Sequence, residues 1–177
     1  MPLLQSFPAL TGPAPRTLIL GSMPGAASLA AGQYYAHRQN RFWPLMGTLI
    51  DAGPELAYGQ RCRRLVAAGI ALWDVLASCE REGSLDSAIR DDTAQANDFV
   101  ALFARHPTIA LVLFNGSKAE ASFGRFVLAG LVESGAAAKL EYRRLPSTSP
   151  ANASQSSEYK LTAWREALQA GGIRTLD

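Results

Sequence analysis

Four short apolar stretches in this chain each end in small polar residues, and this pattern limits the folds that it can adopt. The longest is Thr108–Phe114, seven mostly apolar residues that end at Asn115-Gly116. Similar stretches cover Arg16–Gly21, Gly69–Trp73 and Leu140–Leu145. Each predicts a β-strand, and in the last of them apolar side chains are mixed with charged ones up to a proline.

Amphipathic stretches fall between these strands and predict helices. They cover residues 42–49, 56–68, 99–105, 117–131 and 159–168. Strands that alternate with helices predict an α/β fold of three layers, with a central, mainly parallel four-stranded sheet between two layers of helices. The polar stretch Ser78–Asn97 fits neither the strand nor the helix pattern.

Size and charge set broad limits on the class of protein. The chain has 177 residues, 48% of them hydrophobic, which predicts one domain over residues 1–177 with a full core. No run of about 18 apolar residues is present, so we expect no membrane-spanning segment. Met1–Ser6 lacks a basic region followed by an apolar core, which predicts no signal peptide and a cytoplasmic location. A net charge of +2 permits nucleic-acid binding without indicating it.

Potential metal ligands are few and scattered. Cys62 and Cys79 are the only cysteines, and His37 and His106 are the only histidines. This spacing argues against a structural zinc ion or an iron–sulfur cluster, so we expect no metal and no cofactor. In a cytosolic chain the two cysteines are expected to be free thiols in or near the core.

The segments that follow the predicted strands are the first candidates for a functional site. They are Gly21–Gly25, Trp73-Asp74, Asn115–Lys118 and Pro146–Pro150. Each alone is typical of an ordinary turn. In open α/β sheets, however, ligands bind beyond the carboxyl ends of the strands. If the sheet is parallel, all four segments lie at one edge, and this common position favours a binding site there.

A second candidate is Gly32–Trp43, which combines aromatic residues, two arginines, a histidine and Asn40 just before a predicted helix. Aromatic faces stack on nucleobases and arginines bind phosphates. Phe42 and Trp43 are expected to be core residues because they begin the apolar stripe of that helix. Asn40 is a candidate N-cap, a position that holds a side chain rigidly at a helix end and is compatible with catalysis.

Together these segments resemble the mismatch-specific branch of the uracil-DNA glycosylase superfamily. That branch carries a Gly-x-Asn-Pro-Gly turn, an aromatic-Ala-His-x-x-Asn-Arg-Phe-Trp segment and a Pro-Ser-x-x-Ser loop. The matching segments are Gly21–Gly25, Tyr35–Trp43 and Pro146–Pro150, and in the last the second serine comes one place early. The resemblance runs over about residues 16–168, and its central motif is the most specific part.

Met23 is a departure from this pattern. It occupies the position where the family normally has an Asn or Asp that orients the attacking water, and a thioether is a poor ligand for water. The hypoxanthine-DNA glycosylase subgroup, family 6 of the superfamily, also lacks that residue, and there the asparagine of the Asn-x-Phe-Trp segment is regarded as catalytic. This asparagine corresponds to Asn40, so the resemblance implies Asn40 as the catalytic residue and favours hypoxanthine over uracil.

The resemblance further implies a monofunctional enzyme of base excision repair. Such an enzyme flips a damaged or mismatched base out of DNA and hydrolyses the N-glycosidic bond, leaving an abasic site. We expect it to act as a monomer. The implied base-binding residues are Gly21, Ser22, Met23, Tyr35 and Asp74, with Tyr35 stacking on the base. The implied DNA-binding residues are Ser117, Lys118, Ser147, Thr148 and Ser149.

Several alternatives remain open from the sequence alone. Asp74 is expected to accept a hydrogen bond from the base, to serve as a base for water, or to be a helix cap or ion-pair partner. Ser117 is an N-cap or a phosphate ligand. The function could instead be uracil excision from G·U mismatches, or non-catalytic nucleic-acid binding. A small-molecule α/β hydrolase is disfavoured because the chain has no Gly-x-Ser-x-Gly motif. All glycosylase interpretations require Tyr35, Asn40 and Ser147 to face one pocket.

Overall fold

A computed structural model describes residues 1–177. The strands are β1 (Leu3–Gln5), β2 (Thr17–Gly21), β3 (Ile70–Asp74), β4 (Leu76–Arg81), β5 (Ile89–Ala96), β6 (Leu111–Asn115) and β7 (Glu141–Leu145). The helices are α1 (Ala26–Ala31), α2 (Phe42–Ile50), α3 (Tyr58–Ala67), α4 (Phe99–Arg105), α5 (Ser117–Phe126), α6 (Leu128–Glu133) and α7 (Ser157–Ala170). Short 3-10 turns cover Asp86–Ala88 and Ala136–Lys139.

The central sheet has the strand order β3-β2-β6-β7, and all of its pairings are parallel. The four strands are those predicted from the sequence, with boundaries that differ by up to three residues. In register, Gly21 lies beside Asp74, and Asn115 lies beside Leu145. The parallel sheet therefore brings the carboxyl ends of its four strands to one edge, as the site prediction requires.

Helices cover both faces of this sheet. Strand β2 is buried along its whole length, so alternate side chains enter two cores: Leu18 and Leu20 on one face and Ile19 on the other. The first core includes residues of α4, α5 and α6, and the second includes residues of α2, α3 and α7. The three-layer α/β fold is confirmed. None of the helices is long and apolar enough to cross a bilayer.

A second sheet, which the sequence pattern did not predict, is antiparallel with the order β1-β4-β5. Most of the polar stretch Ser78–Asn97 forms the hairpin of β4 and β5. Only Ile89 of β5 is buried, so this strand has no regular apolar alternation by which it could be recognised. The hairpin packs Leu76 and Cys79 of β4 into the first core, and Arg90 of β5 pairs with Glu80 of β4 at 2.7 Å on its exposed side.

Two helical features differ from the sequence prediction. The helix predicted over residues 117–131 is interrupted at Val127, whose φ of −118° separates α5 from α6. The short helix α1 has no amphipathic signal and was not predicted. It ends at Gly32, which adopts a left-handed conformation with a φ of 62°.

Candidate active site

A cavity of about 890 Å³ lies at the carboxyl edge of the central sheet. Its size falls within the range of roughly 300–1,000 Å³ that is typical of ligand pockets. It is lined by the last residue of every strand in that sheet, namely Gly21, Asp74, Asn115 and Leu145. Tyr35, Asn40 and Ser147 also line it, so the spatial condition set by the sequence analysis is met.

Asn40 lies two residues before α2, whose N-cap is Arg41, and it lines the cavity. Its Oδ1 atom accepts the backbone N–H of Phe42 at 2.9 Å, which fixes the side chain beside the start of the helix, although the N-cap is Arg41 and not Asn40 as expected. One Oδ1 lone pair and both Nδ2 hydrogens have no protein partner. Asn40 is therefore a rigid side chain with free hydrogen-bonding capacity at the cavity.

Tyr35 is held on one side of its ring and at its hydroxyl group. The ring stacks on Phe42, with centroids 4.1 Å apart and an interplanar angle of 26°. The hydroxyl accepts a hydrogen bond from Asn115 Nδ2 at 3.1 Å. Tyr35 has a φ of 54°, an uncommon conformation for a residue other than glycine, and such conformations occur disproportionately at functional sites. Burial raises the pKa of its phenol, which stays neutral near pH 7.

Asn115, the last residue of β6, forms hydrogen bonds to two separate segments of the site. Besides Tyr35, its Nδ2 donates to the Thr148 hydroxyl at 2.9 Å, and its Oδ1 accepts the Thr148 backbone N–H at 2.9 Å. The Thr148 carbonyl in turn accepts the N–H of Arg41 at 2.9 Å. Hydrogen bonds of Asn115 and Thr148 thus connect the segment around Asn40 to the serine-proline loop. The sequence analysis noted the segment of Asn115 but did not select this residue.

Asp74 is a buried carboxyl group in the wall of the cavity, with only 4% of its surface exposed. It forms no ion pair, and its Oδ2 atom has no hydrogen-bond partner, so the two structural roles considered for it are not observed. The pKa of Asp74 is raised to about 7, mainly because the group is buried and also because Asp86 lies nearby, while Arg81 acts in the opposite direction. Asp74 therefore titrates near neutral pH.

Gly21 permits the close approach of Asp74 and Tyr35. A Cβ atom at Gly21 would lie 2.5 Å from Asp74 Oδ1 and 3.2 Å from the Tyr35 hydroxyl, so any side chain would displace them. After Gly21 the chain turns, and the backbone N–H groups of Ser22 and Met23 have no protein acceptor. Met23 is 6% exposed and packs into the core beneath the turn.

The tip of the β4–β5 hairpin forms another wall of the cavity, which the sequence analysis did not predict. Ser22 Oγ donates to Asp86 Oδ1 at 2.5 Å, and Ser84 Oγ accepts the N–H of Ala26 at 2.9 Å. The buried Arg81 donates from Nη2 to the Pro24 carbonyl at 2.6 Å and from Nε to the carbonyl of Gly83 at 3.0 Å. These bonds hold the hairpin against the turn after β2.

Three of the predicted DNA-binding residues lie at the cavity with accessible side chains: Ser117, Ser147 and Ser149. Ser117 begins α5, but the N-cap is Gly116, so Ser117 does not cap the helix. Gly116 has a φ of 95°, and a Cβ there would lie 3.0 Å from the Cβ of Ser147. A glycine at this position therefore lets the two serine-bearing loops approach each other.

Lys118 and Thr148 are placed differently from the prediction. Lys118 does not line the cavity, because its Nζ atom donates to Asp91 Oδ1 at 2.7 Å on β5. Thr148 lies at the cavity but is 1% exposed, and Asn115 occupies both its hydroxyl and its N–H group. Thr148 therefore holds the loop from a buried position, and Lys118 pairs with Asp91 on β5.

Comparisons with known proteins show the family to which this chain belongs. A family model described as the uracil DNA glycosylase superfamily matches residues 8–169. Hypoxanthine DNA glycosylases of Methanosarcina barkeri and Methanosarcina acetivorans are 40% identical to the chain over 115 and 116 residues. The matched regions cover 64% and 65% of this chain and 72% of each relative.

A solved structure is similar over nearly the whole length of the chain. It is the solution NMR structure of a candidate uracil DNA glycosylase from Methanosarcina acetivorans, with a TM-score of 0.75 and 33% identity. The match covers 96% of this chain and 99% of that chain. The chain therefore belongs to the uracil DNA glycosylase superfamily and is a DNA glycosylase.

Proposed function

We propose that this DNA glycosylase removes hypoxanthine from deoxyinosine in DNA and leaves an abasic site for base excision repair. Residues 1–177 would act as one glycosylase domain and as a monomer. The observation that carries the proposal is that Asn40 and Asp74 line the same cavity although Met23 replaces the usual water-orienting residue. Relatives with 40% identity are named hypoxanthine DNA glycosylases, which supports this choice of base.

Base recognition begins with the extrusion of the nucleotide from the duplex, because a stacked base is out of reach of the cavity. Tyr35 offers an aromatic surface for the flipped base, and its other face is supported by Phe42. The free N–H groups of Ser22 and Met23 are donors for the carbonyl oxygen or ring nitrogens of hypoxanthine.

Asn40 orients the attacking water. Its amide is not basic, so it positions the water by hydrogen bonds and does not take the proton. The oxygen of the water bonds to C1′ of the sugar as the bond between C1′ and N9 breaks, and the electron pair of that bond stays on the base. The displaced proton of the water leaves to solvent. Because the hydrogen bond from the N–H of Phe42 fixes Asn40, little conformational entropy is lost when the water is bound.

The protonated, neutral form of Asp74 stabilises the departing base. Negative charge builds up on the base as the bond breaks, and a hydrogen-bond donor at that place is more favourable than a carboxylate. Burial and the nearby Asp86 keep Asp74 partly protonated near pH 7, so its hydroxyl can donate to the base. A proton that passes from Asp74 to the base is replaced from solvent, which closes the cycle.

The DNA backbone is held by the polar groups around the cavity mouth. Ser117, Ser147 and Ser149 have accessible side chains there for phosphate oxygens. His37 also lies at the mouth and is exposed, and its Nδ1 accepts the N–H of Gln39 at 3.2 Å. The other ring nitrogen, Nε2, has no partner in the protein and is available to donate to a phosphate.

A panel of otherwise identical oligonucleotides tests the proposal. Each carries one hypoxanthine, uracil, xanthine or thymine, and single-turnover release of free base is measured on duplex and single-stranded DNA. We expect the fastest release from hypoxanthine. Faster release of uracil from a G·U pair would assign the enzyme to uracil repair, and binding without release of any base would contradict glycosylase activity on these lesions.

A further inference from the structure

A second groove adjoins the base cavity and shares the serine-proline loop with it. The groove has a volume of about 450 Å³, and its walls are the segment before α2, the first half of α2, the loop and the start of α7. Ser149 and Pro150 of the loop, and Asn152 and Gln155 after it, line both the groove and the cavity. A DNA strand whose flipped nucleotide occupies the cavity can therefore continue over the loop into this groove.

Arg41 lines this groove with an exposed guanidinium group that forms no ion pair and no hydrogen bond within the protein. Its backbone is held in place, because its N–H group donates to the Thr148 carbonyl at 2.9 Å. A guanidinium group offers a planar set of N–H donors that matches the oxygens of a phosphate. Arg41 is therefore an unpaired cation on a fixed backbone beside the loop.

Lys160 is a second cation in the groove, although only 5% of its surface is exposed. Lysine is seldom buried to this extent without an anionic partner, because the burial of an unpaired charge is costly. Lys160 nevertheless forms no ion pair. Its Nζ atom donates to the Asn152 carbonyl at 2.6 Å, and its other N–H donors have no partner. Burial lowers the pKa of Lys160, and the positive charge of the nearby Arg41 lowers it further.

No anion of the protein neutralises these two charges. Glu158 is the only acidic residue that lines the groove, and it is exposed and forms no ion pair with either cation. The anion that a DNA strand would bring into the groove is a backbone phosphate. We propose that Arg41 and Lys160 together bind one phosphate of the damaged strand next to the flipped nucleotide. This inference rests on the proposed function only in requiring that a damaged strand binds at the cavity, whichever base it carries.

The first experiment locates the phosphate without base release. Each duplex carries a tetrahydrofuran analogue of an abasic site, and one phosphate near that site is replaced by an uncharged methylphosphonate. At one position of the damaged strand, the replacement should lower the affinity of the wild-type protein by about fivefold or more, and that of Arg41→Gln by only about twofold. Arg174→Gln is the matched control and should respond like the wild type. Arg174 is also exposed and unpaired, and it lines neither the cavity nor the groove.

The second experiment separates phosphate binding by Lys160 from its support of the loop. Lys160→Gln keeps an N–H donor for the Asn152 carbonyl but has no charge. It should reduce the methylphosphonate effect at the same position as Arg41→Gln does. When both residues are changed to Gln, the slope of log affinity against log salt concentration should decrease in magnitude by about one. If Lys160→Gln does not fold, Arg41→Gln, at an exposed position, still tests the site.

The outcomes separate this inference from the proposed function. Failure to release hypoxanthine would contradict the proposed substrate but leave the binding test intact, because the abasic duplex carries no base at the lesion. Equal methylphosphonate effects in the wild type and in Arg41→Gln at every position would overturn the phosphate site. A position that responds only on the complementary strand would also overturn it. A loss of stability in Lys160→Gln with an unchanged methylphosphonate effect would overturn the shared site and leave Lys160 as an anchor of the loop.

Discussion

Asn115 and Thr148 exchange two hydrogen bonds at the carboxyl edge of the central sheet, one in each direction. Asn115 Oδ1 accepts the Thr148 N–H at 2.9 Å, and Asn115 Nδ2 donates to the Thr148 hydroxyl at 2.9 Å. The same Nδ2 group donates to the Tyr35 hydroxyl at 3.1 Å. One amide thus fixes both the stacking residue and the serine-proline loop, and the relative position of these two parts depends on it.

Asn115→Ala is expected to weaken both the fold and the activity. It leaves the buried N–H of Thr148 without a partner, which costs about 1–3 kcal/mol of the free energy of unfolding. It also releases Tyr35, so we expect single-turnover base release to fall by about tenfold or more. Chemical denaturation and quenched-flow assays measure the two effects.

A matched control for this variant is Gln169→Ala. Gln169 lies on α7, and its exposed amide donates a hydrogen bond to Thr175 Oγ1 at 2.8 Å. It should change neither the activity nor, by more than about 0.5 kcal/mol, the stability. If Asn115→Ala behaved like this control, the connecting role of Asn115 would be refuted.

The rate of base release should depend on the titration of Asp74. Burial raises the pKa of Asp74 to about 7, and the protonated form is the proposed donor. The single-turnover rate should therefore be constant at pH values below this pKa and fall as the pH rises through it. Asp74→Asn keeps an N–H donor and cannot ionise. The variant should therefore retain activity, and its single-turnover rate should not fall as the pH rises through 7. A wild-type rate that rises through pH 7 would show that the carboxylate is the active form.

The same carboxyl group should make stability depend on pH. Between its ordinary value of 3.8 and about 7, Asp74 is protonated in the folded protein and ionised in the unfolded chain. The unfolded state then binds fewer protons, so this group lowers the free energy of unfolding by about 1.4 kcal/mol per pH unit across that window. The penalty is absent below pH 3.8 and constant above the folded pKa.

Comparison with Asp74→Asn isolates this contribution. The free energy of unfolding of the variant minus that of the wild type should increase from pH 4 to pH 7 and then level off. Urea denaturation at several pH values measures the difference. A difference that did not change over this range would mean that Asp74 ionises normally in the folded protein.

Phe42 supports the stacking tyrosine from the core side, and its removal should be costly. Phe42 is 0% exposed and lies against Tyr35, so Phe42→Ala should lower the free energy of unfolding by about 3–5 kcal/mol. Val132→Ala, at an exposed position, should change it by about 0.5 kcal/mol or less. Equal stabilities of the two variants in denaturant titrations would contradict the assigned support of Tyr35.

The central sheet could be predicted from the sequence because its strands are continuous apolar runs, as in Ile70–Asp74 and Leu111–Asn115. The β4–β5 hairpin could not, because β5 has no regular apolar alternation and the hairpin tip is held by contacts with a distant turn. Ile89 is the only buried residue of β5. Local patterning carries no information about such contacts between segments far apart in the chain.

The part of the candidate site that lies at the carboxyl ends of the central strands could be predicted from the sequence. The positions of Tyr35, Asn40 and Asp74 at one cavity followed from the motif order and the parallel sheet. The positions of Arg81 and Asp86 did not, since the hairpin that carries them had no recognisable pattern. The ion pair of Lys118 could not be predicted either, because its partner Asp91 lies on that same hairpin.

The central claim is that Asn40 orients the attacking water, and Asn40→Ala tests it most directly. Gln39→Ala is the control for loss of a neighbouring amide, and Asn40→Ser keeps an oxygen that can accept the N–H of Phe42 while removing the amide. The measurement is single-turnover release of hypoxanthine from an inosine duplex, with DNA affinity measured in parallel. Both Asn40 variants should lose about a hundredfold or more, about 3 kcal/mol of barrier, while DNA binding persists and Gln39→Ala stays active. Release by Asn40→Ala at the wild-type rate would contradict the account.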